Sequence, residues 1–286
     1  MKAFQVKSFA KVNIGLKIVN QRNDGLHNIE TVFQEIDLHD IITISKTSER
    51  GCAFNSNVSW LRNDSNNLCV KAYEQLSKRI QEGGVSINLH KKIPSGSGLG
   101  GGSSNAASVL KGLCKLYDIS LSDDELARIA LNIGSDVPFF IKGGMQSLRG
   151  VGSELLPLPG CINGFYLLAV PNIHIDTRWA YNSYGKNFFL DCATDEVNFA
   201  SYLSKRTIPF ELFENDFESI VIPAYPEIAA IKEKLWSFGP RFVSLSGSGS
   251  TVFGIFDDEA DAYSAESLFS QKYSTFIASP ISYMLR

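Results

Sequence analysis

The 286-residue sequence is poor in the residues that announce a metal centre or a disulfide framework, with 5 cysteines and 4 histidines. Cys52, Cys69, Cys114, Cys161 and Cys192 lie far apart, form no CxxC pair and have no histidine at zinc-ligand spacing. That pattern argues against a zinc site and for reduced thiols. An excess of positive charge is also missing. The 27 Lys and Arg against 30 Asp and Glu leave a net charge of -3, whereas a general nucleic-acid binder carries a basic surface. No apolar run is long enough to span a membrane, and charges interrupt the apolar residues of MKAFQVKSFAKVNIGL. Neither a membrane partner nor a signal peptide is expected, and the expected location is the cytoplasm. Internal repeats and low-complexity tails are absent. The expected partner is a small molecule, the chain itself being a monomer or homodimer.

What remains is an ordinary globular composition, 44% hydrophobic and 20% charged, over a length that suits about two domains. VNIGLKI, from Val12 to Ile18, alternates as a half-buried strand does, which puts Lys11 and Asn13 together on its polar face. After a turn at Asn23-Asp24-Gly25, TVFQEIDL and IITIS read as two strands parted at His39-Asp40. A helix from Asn66 to Ile80 is expected after caps at Asp64-Ser65, then the strand VSINLHKKI. Ser122 to Glu125 forms a capping box that opens a helix closed by Gly134. The Gly- and Pro-rich GVGSELLPLPGCING precedes the apolar FYLLAV, so the domain boundary is expected near Glu154, giving 1–154 and 155–286. In the second half a helix runs from Pro226 to Phe238. FVSLSGSGSTVFGIF follows as two strands around a glycine-serine turn, then a helix and a last strand. Helices and strands alternating in both halves point to α/β or α+β layers.

The most unusual stretch is KIPSGSGLGGGSSNAASVL, Lys92 to Leu110, with five glycines between Gly96 and Gly102. Bare backbone ahead of a helix N-terminus makes an anion site from free N–H groups and the helix dipole, and Ser103, Ser104 and Asn105 add hydroxyl and amide groups. Those groups could contact phosphate or a magnesium ion, and phosphate is the leading ligand. A flexible Gly-Ser linker is the plainer alternative. GxGxxG at Gly96, Gly98 and Gly101 also meets the dinucleotide pattern, which a tract this glycine-dense does easily. A P-loop is ruled out, because no GK[ST] follows the glycines. If the loop holds a nucleoside triphosphate, transfer needs a positive charge and a carboxylate from elsewhere, and Lys11 and Asp136 are the candidates. Taken singly, Lys11 also fits a solvated strand lysine, and Asp136 a cap before Pro138.

Three segments decide between these readings. FAKVNIGLKI, PSGSGLGGGSSNAAS and SLSGSGSTVFG resemble, in order and spacing, the three motifs of the GHMP kinases, the small-molecule kinases that include galactokinase, homoserine kinase and mevalonate kinase. The resemblance implies an α+β, two-domain fold, a ribosomal-protein-S5-like N-terminal domain joined to a ferredoxin-like C-terminal one. It also implies ATP and Mg2+ as cofactors. AKVNIGL, QRNDGLHNIETVFQEIDLHD, GLGGGSSNAA and GSDVPFF are similar to the branch that phosphorylates the 2-hydroxyl of a cytidine-diphosphate-linked methylerythritol in isoprenoid precursor synthesis. Matching by position, Asp136 would be the catalytic carboxylate and Lys11 would hold the hydroxyl and its developing charge. Asn13 and His27 would bind the cytosine end. Pro94, Ser95, Gly96, Ser97, Gly98, Leu99, Gly100, Gly101, Gly102, Ser103 and Ser104 would wrap the ATP phosphates, with Asn67 and Lys91 beside the nucleotide. Gly247, Ser248 and Gly249 would shape the far wall, with Thr251 close by. The resemblance puts a base-stacking ring shortly after Thr177, where Tyr181 is preferred to Trp179. The pattern is departed from in two ways. Leu26 stands where many relatives carry a tyrosine that stacks on the cytosine, and Ser95 and Ser97 interrupt the glycines.

Overall fold

The computed structural model describes residues 3–152, 154–187, 198–205 and 207–283, so Cys192 lies outside the described residues. Two long strands lead the chain, β1 (Ala3–Gln21) and β2 (His27–Thr47), which pair with each other. The turn between them is where the sequence puts it: Gly25 N–H donates to the Arg22 carbonyl at 3.0 Å, and the Asp24 carboxylate accepts from Leu26 N–H at 3.1 Å. Both strands differ from expectation. The polar face of β1 is not solvated, because Ala10 to Leu16 is buried on both faces and Lys11 is 3% exposed. β2 also runs unbroken through His39-Asp40. Asp40 makes no turn because its carboxylate is engaged by the backbone N–H groups of Lys92 and Ile93, at 2.6 and 2.7 Å, and an aspartate satisfied from a neighbouring segment has no need to bond its own backbone.

The chain divides into two compact units, each built from separate stretches. One comprises the segment ending at Ala10 with His39–Ile93 and Gly100–Gly143; the other comprises Lys11–Leu38, Pro94–Leu99 and the chain from Gly144 onward. In the first unit the second half of β2 pairs antiparallel with β4 (Gly84–His90), Ile41 opposite His90 and Thr47 opposite Gly84. β4 in turn pairs in parallel with β3 (Gly51–Ser56). α1 (Leu68–Ser77) packs on α2 (Gly101–Leu116), and α2 on α3 (Asp123–Leu131) and α4 (Phe139–Lys142). α1 starts later than its sequence suggests because Asn67 is its N-cap, accepting from Cys69 N–H at 2.9 Å. Ser122 and Glu125 form the expected reciprocal capping box on α3. Ile42, Ile44, Val85, Ile87, Leu110 and Leu113 are wholly buried, which places the apolar stripe of α2 in the core of this unit.

In the second unit the first half of β2 pairs antiparallel with β5 (Met145–Gly150), and β5 with β6 (Glu154–Leu158). A separate antiparallel sheet follows. β7 (Phe165–Val170) leads into α5 (Thr177–Asn187), α6 (Phe199–Leu203), α7 (Glu218–Ala224) and α8 (Pro226–Trp236). β8 (Phe242–Leu245), β9 (Val252–Phe256), α9 (Glu259–Phe269) and β10 (Ser274–Ala278) complete it in the order β10-β7-β9-β8. That is the split βαββαβ arrangement of a ferredoxin-like fold. Ile228, Ile231 and Leu235 on α8 and Ala262, Ala265 and Phe269 on α9 bury against Leu167, Ala169, Val243 and Val252. The spacing of three and four residues on each helix makes one apolar face, and the sheet covers it.

Candidate active site

The first motif from Lys11 onward, the opening residues Pro94 to Leu99 of the second, and the whole of the third belong to the second unit. Lys11 on β1 donates from Nζ to Asn13 Oδ1 at 2.5 Å and lies over the Phe33 ring, 4.7 Å from its centroid. Asn13 is itself held: its Nδ2 donates to Thr31 Oγ1 at 3.0 Å, and Thr31 Oγ1 donates to the Gly15 carbonyl at 2.6 Å. Because Lys11 and Asn13 are two apart on a strand, they share a face, and the chain of hydrogen bonds fixes both rotamers. Gly247 closes over them. A Cβ there would stand 3.3 Å from Asn13 Oδ1 and 3.7 Å from Lys11 Nζ. Its carbonyl, like that of Leu245, is fixed by Asn215 Nδ2 at 2.9 and 2.7 Å. Asn215 was not legible in the sequence, where it follows a phenylalanine and a glutamate with no motif around it.

The first half of the glycine loop rests on the same turn. Ser246 Oγ donates to the Gly98 carbonyl at 3.0 Å, Thr251 N–H to the Ser97 carbonyl at 3.1 Å and Lys11 N–H to the Leu99 carbonyl at 3.0 Å. Gly98 has φ of +82°, and a Cβ on it would come within 2.0 Å of the Ser246 carbonyl oxygen, so no other residue fits that approach. Ser248 Oγ lies 2.9 Å from Thr177 Oγ1, which joins the turn to the start of α5.

One turn further along α5 stands Tyr181. Its ring stacks on His27 with centroids 4.9 Å apart and an interplanar angle of 19°, and Phe217 meets it at 79°. Trp179 turns instead toward Tyr225. His27 is 8% exposed, and its Nε2 is buried with no hydrogen-bond partner among the described residues. Burial also holds its imidazole below its ordinary pKa. A buried ring nitrogen without a partner is uncommon. Leu26 beside it is 54% exposed.

The first unit holds the remaining predicted residues. α2 begins at Gly101, two residues before Ser103, with Gly100 as its N-cap at φ +68°. Ser104 Oγ lies 2.8 Å from Ser8 Oγ. Lys91 Nζ donates to Asp40 Oδ2 at 2.6 Å, and Asn105 Nδ2 donates to the same oxygen at 2.8 Å. Asn67, besides capping α1, donates from Nδ2 to the Arg62 carbonyl at 2.8 Å. Asp136 is half-buried in the turn between α3 and α4, where Val137 N–H donates to the Gly134 carbonyl at 3.1 Å. Asp40 is the residue the sequence hid, because its place after a histidine reads as a strand break. No group of three or more His, Cys, Asp or Glu side chains among the described residues could hold a metal ion, and no helix there is long and apolar enough to cross a membrane.

Residues 67–144 match the model of the GHMP kinases N terminal domain, and residues 205–275 that of the GHMP kinases C terminal. The chain belongs to the GHMP kinases. The relatives of this GHMP kinase are similar along nine-tenths or more of its length. The 4-diphosphocytidyl-2-C-methyl-D-erythritol kinase of Chlorobaculum tepidum is 37% identical over 276 residues, 96% of each chain. That of Chlorobium phaeovibrioides is 42% identical over 264 residues, covering 90% of this chain and 89% of its own. Among solved structures, a 4-(cytidine 5'-diphospho)-2C-methyl-D-erythritol kinase aligns with a TM-score of 0.79 at 30% identity, covering 97% of this chain and 99% of its own. Methanococcus jannaschii mevalonate kinase aligns at 0.72 with 15% identity over 98% and 99%, a likeness of fold alone. The two-domain α+β architecture of the GHMP kinases is therefore that of this chain.

Proposed function

We propose that this GHMP kinase moves the γ-phosphoryl group of ATP to the 2-hydroxyl of 4-diphosphocytidyl-2-C-methyl-D-erythritol, giving the 2-phosphate and ADP in the non-mevalonate route to isoprenoid precursors. The observation that carries the reading is identity of 37 to 42% with kinases of that name across nine-tenths or more of the chain. Two features support it. Lys11 and Asn13 are held together as a pair, and the partnerless Nε2 of His27 suits the edge of a cytosine.

In this reading the substrate oxygen attacks the γ-phosphorus as the bond to the ADP oxygen breaks, and Asp136 takes or orients the hydroxyl proton. Lys11 holds the hydroxyl and the charge that grows on it. Catalysis is then chiefly positioning and electrostatic stabilisation. Pro94 to Ser104 would wrap the phosphates, with Asn67 and Lys91 beside the nucleotide. Asn13, His27, Thr177, Tyr181, Gly247 and Ser248 would line the substrate side. Ser103, half-buried on the first turn of α2, would be a candidate to hold a magnesium ion, whose charge would offset that of the phosphates. The domains would divide near Glu154, into 1–154 and 155–286. The enzyme would work in the cytoplasm as a monomer or homodimer, without nucleic-acid or membrane partners.

The test is ATP-dependent turnover of the cytidyl alcohol beside a panel of homoserine and mevalonate derivatives, with Asp136→Asn in parallel. We expect turnover of the cytidyl alcohol alone, and in Asp136→Asn a loss of kcat of about a hundredfold or more with ATP binding retained. Turnover only of alcohols lacking the cytidine end refutes the substrate, and unchanged kcat in the variant refutes the base.

A further inference from the structure

Asp40 is wholly buried, and each of its oxygens accepts two hydrogen bonds. Oδ1 takes the backbone N–H groups of Lys92 and Ile93, the two residues by which the chain leaves β4 for the glycine loop. Oδ2 takes the Lys91 ammonium and the Asn105 amide, on the second turn of α2. The network continues from Asn105 Nδ2 to Ser8 Oγ at 3.0 Å and from there to Ser104 Oγ at 2.8 Å. One carboxylate thus ties the entrance of the loop to the helix that leaves it.

The position of the ammonium is the informative part. A Cβ added to Gly101, the first residue of α2, would lie 2.9 Å from Lys91 Nζ. A cation at a helix N-terminus stands against the positive end of the dipole. Burial adds a further cost to an ammonium that is 6% exposed at its side chain. Asp40 offsets both, and the result is a preset positive charge at a helix N-terminus whose first N–H groups have no partner within the helix. Two like-signed elements brought together at the cost of a buried carboxylate make sense for receiving an anion.

We propose that Asp40 is a positioning residue for the ATP phosphates, acting through Lys91 and through the start of α2 rather than by touching the nucleotide. The inference rests on the kinase reading above, since it assumes that the nucleotide phosphates lie at the start of α2. Asp40→Asn keeps the acceptor toward Lys92 and Ile93 but turns an amide group toward two donors. Asp40→Asn combined with Lys91→Met removes the charge pair together, which relieves the unpaired ammonium and restores folding if the single variant folds poorly.

Binding of a non-hydrolysable ATP analogue is measured by calorimetry on the full chain, beside thermal unfolding and steady-state kinetics. Asp40→Asn should weaken the analogue by about tenfold or more and raise the KM for ATP to match, with the KM for the cytidyl alcohol within about twofold of the parent. The double variant should regain the parent's melting temperature without regaining nucleotide affinity. Analogue bound equally tightly by parent and Asp40→Asn overturns the inference while leaving the kinase reading intact. So does a double variant that recovers affinity along with its melting temperature, since that is the mark of a purely structural role. A parent chain that binds no analogue refutes the kinase reading itself, and this inference falls with it.

Discussion

The glycine loop has two halves, and they are held in place by different means. Pro94 to Leu99 belongs to the second unit, where the Ser97, Gly98 and Leu99 carbonyls accept from Thr251, Ser246 and Lys11. Gly100 to Ser104 belongs to the first, where a side-chain network through Asp40, Asn105 and Ser8 fixes the start of α2. The first half is shaped by close backbone approach, and the second by charge and hydroxyls. In the first half the protein uses up carbonyl acceptors, and backbone donors are what the anion proposed above would need. In the proposed reading glycine therefore serves two purposes in one run: Gly98 lets protein approach protein, and Gly102 would leave room for the phosphates.

The largest effect should come from breaking the first half. In Gly98→Ala the new methyl would meet the Ser246 carbonyl oxygen at 2.0 Å on a backbone at φ +82°, so the loop must leave the turn that supports it. We expect a loss of about 3 kcal/mol or more in unfolding free energy, with kcat/KM for ATP reduced at least about a hundredfold. Denaturant unfolding and steady-state kinetics measure both. A folded, fully active variant would show that contact with Ser246 does not shape the loop.

A matched pair of serine truncations tests the two halves with a smaller change. Ser246→Ala leaves the Gly98 carbonyl without its buried donor and should cost about 1 kcal/mol. Ser104→Ala should cost less, on the order of 0.5 kcal/mol, because Ser8 keeps its bond from Asn105. Denaturation midpoints at unchanged slope decide between them. The reverse order would mean that the network, not the backbone contact, is the tighter hold.

The sequence made one side of this comparison readable and left the other concealed. Gly96 to Gly102, Lys11 and Asn13 stand in short motifs whose residue types carry their own geometry, so the loop, the strand pair and the turn before β9 could be read locally. Ser122 with Glu125, and the three-four spacing of Ile228, Ile231 and Leu235, were legible for the same reason: each signal lies within one element. Asp40 and Asn215 were not, because each acts on backbone far along the chain. Asp40 bonds residues about fifty positions later, and Asn215 fixes a turn thirty positions later. Local patterns gave Asp40 a turn because a free aspartate breaks strands, and the strand survives because this aspartate is not free. The solvated polar face expected for β1 failed similarly, since alternation shows which residues share a face but not whether the fold covers it.

The smallest change in stability should accompany the sharpest test of the second half. Gly102 is exposed in the first turn of α2, and a Cβ there would meet Leu68 Cδ1 at 3.4 Å, an ordinary contact. Alanine is also the better helix former, by about 1 kcal/mol in a helix interior and less in a first turn. Gly102→Ala should therefore unfold within about 1 kcal/mol of the parent, and on the stabilising side. If phosphates approach the backbone at Gly102, the same methyl stands in their way, and affinity for an ATP analogue should fall by about tenfold while the melting temperature holds. Calorimetry beside thermal unfolding separates the two quantities. Affinity unchanged in that variant would confine the phosphate contact to the loop before Gly102.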